Sequence, residues 1–191
     1  LHAAGEAGWA LRAYRELDDA LLQLRVNHLD IGLVLVRVEC DVARTIAHDQ
    51  ALLDACAELV ALTLRFDHPA DAVVSRFLRD NRSLGPRERA TLAETTFAVL
   101  RKKLLFDHFA PSGSGPKARR LAILGFFGPG DFLRSALNEP EKKWLEQCDA
   151  VDRQALLERH RHNLPEWLVA SLKAQLGDDF WAYVAALNRP Q

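Results

Sequence analysis

Methionine is absent, cysteine occurs three times and tyrosine twice in the 191 residues. Cys40, Cys56 and Cys148 are too few and too scattered for a disulfide framework, and none belongs to a CxxC pair. Cys56 falls on an apolar helical stripe and reads as a small buried hydrophobe. A reducing, cytoplasmic setting fits this usage. No run reaches the roughly 18 apolar residues of a membrane span, and no basic-then-apolar opening marks a signal peptide. The missing methionine, the start at Leu1 and the stop at "ALNRPQ" read as a piece cut from a longer protein.

Catalytic signatures are equally scarce. His160 and His162 stand two apart, so on a helix they point about 200° from each other and cannot share a metal. The glycines of "GFFGPGDF" have neither a preceding strand nor GxGxxG spacing, and read as turns. No serine sits in a nucleophile elbow and no cysteine has a base nearby in sequence. Asp178 and Asp179 read as helix-start residues. No catalytic, cofactor-binding or metal-binding residue is expected.

What is present is helix-forming sequence with uneven charge. Hydrophobic residues make up 49% and charged residues 27% of a chain whose net charge is −1, as in a globular protein. The first 67 residues sum to −5, His68 to Arg120 to +6 and the remainder to −2. A positive middle between acidic flanks suits a surface that faces a polyanion.

Spacing predicts an all-α protein. Leu11, Tyr14, Leu17, Leu21 and Leu24 form one stripe. A β-branched run, Ile31 to Val38, interrupts it as a strand or an irregular stretch. Leu52, Cys56, Leu59, Thr63 and Phe66 share the next face, and Val74, Phe77 and Leu78 the one after Pro69. Gly85 breaks the chain and Pro86 starts a helix whose stripe is Ala90, Ala93, Phe97, Leu100 and Leu104. "PSGSGP" reads as a flexible connector. Short helices follow: "KARRLAILGFF", Asp131 to Leu137, one capped by Asn138 and Glu141, "DRQALLERH", one stopped by Gly177 and one opened by Asp178. Leu59, Val74, Phe77, Phe97, Leu100 and Leu124 are expected in one core.

Ten basic residues around this middle are the candidate RNA contacts: Arg76, Arg79, Arg82, Arg87, Arg89, Arg101, Lys102, Lys103, Arg119 and Arg120. Cations near a helix C-terminus favour the macrodipole by about 0.3–1 kcal/mol, which accounts for one or two of Arg101, Lys102 and Lys103 but not for the rest. Arg101, one turn from Phe97, is expected to pack its stem and point its guanidinium outward.

"HPADAVVSRFLRDNRSLGPRERATLAETTFAVLR" resembles the NusB-like N-terminal domain of bacterial ribosomal RNA cytosine-5 methyltransferases of the RsmB (Sun/Fmu) family. Ala70-Asp71, Phe77, the Leu84 turn, Glu88-Arg89 and the "FAVLR" close carry the match. "NLPEWLVASLKAQLGDDFWAYVAALNRP", with Pro165, Trp167 and Leu168, resembles that family's helical lead-in to its catalytic part. The resemblance runs from about Asp49 to Gln191. It implies an uncertain N-terminal extension over 1–48, a NusB-like RNA-binding bundle over 49–137 and a lead-in over 138–191.

The resemblance further implies a full-length enzyme that uses S-adenosylmethionine to methylate carbon 5 of a cytosine in small-subunit ribosomal RNA, and a monomeric, cytoplasmic chain. The family's catalytic cysteines stand in Pro-Cys contexts. Here Cys40 follows Glu39, Cys56 follows Ala55 and Cys148 follows Gln147, so none is carried over and the piece itself is expected to be inactive. Two alternatives are a free-standing NusB-like antitermination factor, which would lack the "PEWL" lead-in, and a helical protein-interaction module with an acidic partner.

Overall fold

The computed structural model describes residues 9–28, 30–34 and 41–188. The protein is all-α, with no strand among the described residues. The chain divides into two units, Leu1–Cys40 and Asp41–Gln191.

The first unit contains α1 (Trp9–Asn27). Of its expected apolar stripe, Tyr14 is 73%, Leu17 37% and Leu21 43% exposed, and Leu24 is half-buried. Residues 31–34 are irregular, and the rest of the expected β-branched run, like Cys40, lies outside the described residues. The side chain of Leu11 does too.

The second unit is built on α2 (Val42–Thr63). Its N-cap is Asp41, whose carboxylate accepts from the Arg44 N–H at 3.2 Å, satisfying one of the first turn's orphan donors. The helix starts before the expected boundary after residue 48, and Asp49 is buried in it. α2 packs against α3 (Ala70–Asp80), α4 (Pro86–Arg101), α6 (Lys117–Leu124) and α7 (Gly130–Ala136). Leu53, Leu59, Leu92 and Leu121 are fully buried between them, each contributing about 1.5–3 kcal/mol relative to exposure. The expected face of α2 holds except at Phe66, which follows the helix and is 64% exposed.

The inward face of α4 differs from expectation. It is Leu92, Thr95, Thr96 and Val99, whereas Ala90 is exposed and Ala93, Phe97 and Leu100 are half-buried. Two threonines face inward because their hydroxyls find partners. Thr96 Oγ1 donates to the Leu92 carbonyl at 2.8 Å, and Thr95 Oγ1 accepts from the Phe127 N–H at 3.1 Å. A stripe read from apolar residues alone therefore falls on the wrong side. Leu59, Val74 and Phe77 belong to the core and Phe97 and Leu124 pack on its edge, but Leu100 stands apart from it.

The expected single helix to Leu104 also breaks. Lys102 leaves helical geometry (φ −111°, ψ 25°), and α5 (Lys103–Phe109) begins beyond it. The gap is closed from far along the chain. The Asn163 carboxamide accepts from the Leu104 N–H at 2.8 Å and donates to the Arg101 carbonyl. Asn163 itself adopts a positive φ of 53°, a conformation asparagine tolerates better than most residues.

The connector "PSGSGP" is held in its first half. Ala110–Ser112 forms a 3-10 turn. Trp144 Nε1 donates to Ser112 Oγ at 2.9 Å, and Ser112 donates to the Phe109 carbonyl. At the end of α6 a Cβ on Gly125 would lie 2.6 Å from Val99 Cγ2, so only glycine lets α6 approach α4 so closely.

Asn138 and Glu141 form the expected capping box of α8 (Glu139–Asp149). "DRQALLERH" does not become one helix. It splits into a 3-10 turn, Arg153–Ala155, and a single turn, α9 (Glu158–Arg161). α10 (Glu166–Leu176) stops at Gly177, whose φ is 52°, and α11 (Phe180–Leu187) follows. These two close a small core of their own around Leu164, Phe180 and Val184.

Candidate nucleic-acid interface

The ten candidate cations separate by what surrounds their charged ends. Arg76 and Arg79 lie one turn apart on the exposed side of α3, Arg82 lies in the turn after it, and Arg87 lies in the first turn of α4. All four are exposed, and none pairs with a carboxylate among the described residues. Arg87 stands at the positive end of the α4 dipole, where a cation is mildly unfavourable.

Arg89, two residues on, is spent inside the molecule. Its Nε donates to the Leu84 carbonyl at 2.9 Å, one terminal nitrogen to Leu78 at 2.9 Å and the other to Asn81 at 3.3 Å. The guanidinium thereby ties the end of α3 to the start of α4. The Gly85 N–H donates to the Glu88 carboxylate, closing the same turn. This clamp fixes the backbone on which Arg79, Arg82 and Arg87 are displayed.

Arg119 is likewise structural in position. Its Nε and a terminal nitrogen reach the two Glu141 oxygens at 2.6 and 3.1 Å, and its remaining nitrogen pairs with Asp54. Burial pushes the Glu141 carboxyl up, but the Arg119 and Asn138 N–H donors outweigh it and hold it below the usual carboxylate range. Hydrogen bonding to Glu141 raises the Arg119 guanidinium in turn. Arg120 donates to the Gly113 carbonyl. Lys103 pairs with Asp107, which also takes Lys117 at 2.7 Å. Arg101 is half-buried and reaches Glu94 at 3.7 Å.

Lys102 is exposed at the α4–α5 break. It is 15 residues from Arg87, and about 20 Å along the helix axis, so it does not join the four arginines at the other end. The structure thus leaves Arg76, Arg79, Arg82 and Arg87 exposed without carboxylate partners among the described residues, from α3 through the turn to the start of α4, and engages Arg89, Arg101, Lys103, Arg119 and Arg120 with partners of the protein itself. Sequence reasoning missed Arg65 and His68, which lie beside Arg76 and Arg79 in a groove at the end of α2. The signal was available in "RFDH", an aromatic set among charges directly before a proline.

Among the described residues no catalytic constellation stands out beside these cations. His48, Asp49 and Ser135 come together, but the single Ser135 hydroxyl proton is held between the Asp49 carboxylate and the Phe132 carbonyl, while His48 faces Glu88 at 2.6 Å. The imidazole thus reaches carboxylates and not the hydroxyl. Burial pushes the Cys56 thiol up to about 12 and raises Cys148 as well, so neither offers a thiolate near neutral pH. His160 stacks on His108 at 4.4 Å while His162 lies against Trp181. No group of metal-ligating side chains occurs among the described residues, and no described helix is long and apolar enough to cross a membrane.

Comparison with known proteins adds one partial likeness. The chain is 47% identical over 55 residues to the benzoyl-CoA-dihydrodiol lyase of Aromatoleum evansii. That stretch is 29% of this chain and 10% of the lyase, so the chain spans about a tenth of that relative's length. No family model and no solved structure matches the chain.

Proposed function

We propose that the second unit is an RNA-binding helical module, related to the NusB-like region of the RsmB (Sun/Fmu) ribosomal RNA methyltransferases. In this reading it positions small-subunit ribosomal RNA for a reaction performed elsewhere in a larger protein. One observation carries the proposal. Four exposed arginines without acidic partners among the described residues follow one another along α3, the turn and the first turn of α4, a segment that a fifth, Arg89, clamps from inside. Exposed cations on a rigid helical frame suit phosphates, which fix position on folded RNA without reading its sequence.

S-adenosylmethionine, implied for the whole enzyme, does not fit these residues. The glycines after α6 join helix to helix, and Gly125 is consumed by packing against Val99. No catalytic step is assigned to the chain. Calorimetry with S-adenosylmethionine is expected to give no saturable heat.

The test of RNA binding is a salt titration. Each phosphate contact contributes about 0.7–0.9 to the log–log slope of affinity against salt. Changing Arg76, Arg79, Arg82 and Arg87 to Glu is expected to flatten that slope by about 3 and to weaken binding strongly at low salt, with the circular dichroism spectrum unchanged. Equal slopes for both proteins would overturn the proposal. A protein-interaction module would instead keep its partner's affinity tied to these arginines with no RNA bound at all.

A second reading rests on the lyase likeness, that part of the chain shares ancestry with an enzyme acting on a coenzyme A thioester. Turnover of benzoyl-CoA-dihydrodiol by the purified chain would favour it over the RNA reading.

A further inference from the structure

The end of α2, the turn after it and one side of α3 line an open groove of about 600 Å³. Its apolar lining is Leu62, Ala72, Val73 and Phe77, and Phe77 also belongs to the core. Three guanidiniums line it as well, from Arg65, Arg76 and Arg79, together with the carboxylates of Asp67 and Asp80. None of these five charged groups pairs with another among the described residues. Between Arg65 and Asp67, Phe66 adopts a φ of 57° with its side chain 64% exposed, an uncommon conformation for a bulky residue.

Each part of this lining narrows the ligand. Cations alone would suit any polyanion, but an apolar wall adds nothing to a bare phosphate. The acidic side chains of a peptide would offer Asp67 and Asp80 no donor. A nucleotide answers all three features: phosphate oxygens accept from the arginines, a base face covers apolar surface, and exocyclic amines or ribose hydroxyls donate to the carboxylates. The volume falls within the roughly 300–1,000 Å³ of small-ligand sites.

We propose that this groove receives one unstacked nucleotide of the bound RNA, with Arg65, Arg76 and Arg79 on its phosphates and Leu62, Val73 and Phe77 against its base. The proposal rests on the RNA-binding reading and deepens it, because two of these arginines belong to the exposed set. It makes the surface selective for irregular RNA, where an unpaired base is already free to leave the stack.

The test compares two RNA hairpins that differ only by a single unpaired nucleotide, bound to the full chain. The wild-type protein is expected to prefer the bulged hairpin by about fivefold to tenfold, the low end of what one sequestered base contributes. Ala72→Trp, placed in the lining of the groove, is expected to abolish the preference and leave affinity for the plain hairpin unchanged. Arg65→Ala, which keeps the groove open, is expected to lower affinity for the bulged hairpin selectively. Equal wild-type affinity for the two hairpins overturns the groove proposal, as does a preference that survives in a folded Ala72→Trp protein. If Arg82→Glu and Arg87→Glu still weaken both hairpins in that case, the RNA-binding face stands without the groove. If neither hairpin binds, both proposals fall.

Discussion

Arg89 and Arg119 on one side, and Arg79, Arg82 and Arg87 on the other, belong to the same basic middle of the chain and do opposite things. The first two turn inward: Arg89 donates to three carbonyls across a turn, and Arg119 joins α2, α6 and α8 through Asp54 and Glu141. The other three are exposed and have no carboxylate partner among the described residues. Positive charge in the sequence is therefore a poor guide to a displayed cationic surface until the internal partners are known. The inner set makes the frame, and the outer set is what the frame displays.

Removing members of each set breaks the comparison in different ways. The largest effect is expected from Arg119→Ala. It leaves Glu141, whose side chain is only 7% exposed, without its cation, and uncompensated buried charge costs about 3 kcal/mol. Urea denaturation should show the loss, and adding Glu141→Gln should recover part of it. The pair also sets an acid dependence. Glu141 titrates below its ordinary 4.5 in the folded protein, so its contribution is complete above about pH 4.5 and disappears as pH falls through the depressed value. In Arg119→Ala that acid loss of stability should be smaller.

Arg89→Ala is expected to cost about 2 kcal/mol, because three carbonyls lose a charged donor. Arg89→Lys should rescue little, since an ammonium cannot span the three carbonyls as the planar fork does. Asn163→Ala removes both hydrogen bonds that close the α4–α5 gap and is expected to cost about 1–2 kcal/mol. Faster hydrogen exchange at the Leu104 amide would report it locally. Smallest of all, Arg82→Ala should change stability by less than about 0.5 kcal/mol.

Local signals in the sequence anticipated much of this frame. Gly85-Pro86, the Asn138–Glu141 box and Gly177 each mark a helix end by chemistry confined to a few residues, and each appears where expected. The α4 face was not legible, because Thr95 and Thr96 are polar in composition: Thr96 satisfies its hydroxyl within the helix, on the Leu92 carbonyl, and Thr95 accepts from the Phe127 N–H, a partner only the fold supplies. Nor was the break at Lys102, which depends on a carboxamide 62 residues away from Arg101. The division among the arginines was hidden for the same reason. Arg89 and Arg87 are neighbours in sequence, and only the position of the Leu78, Asn81 and Leu84 carbonyls tells them apart.

The most direct test of that division measures melting temperature and RNA affinity on the same two proteins, Arg89→Ala and the triple change of Arg79, Arg82 and Arg87 to Glu. The account predicts that the triple protein melts like wild type and loses RNA affinity with a flattened salt slope, while Arg89→Ala loses stability. A triple protein that binds ribosomal RNA fragments with wild-type affinity and slope would contradict it.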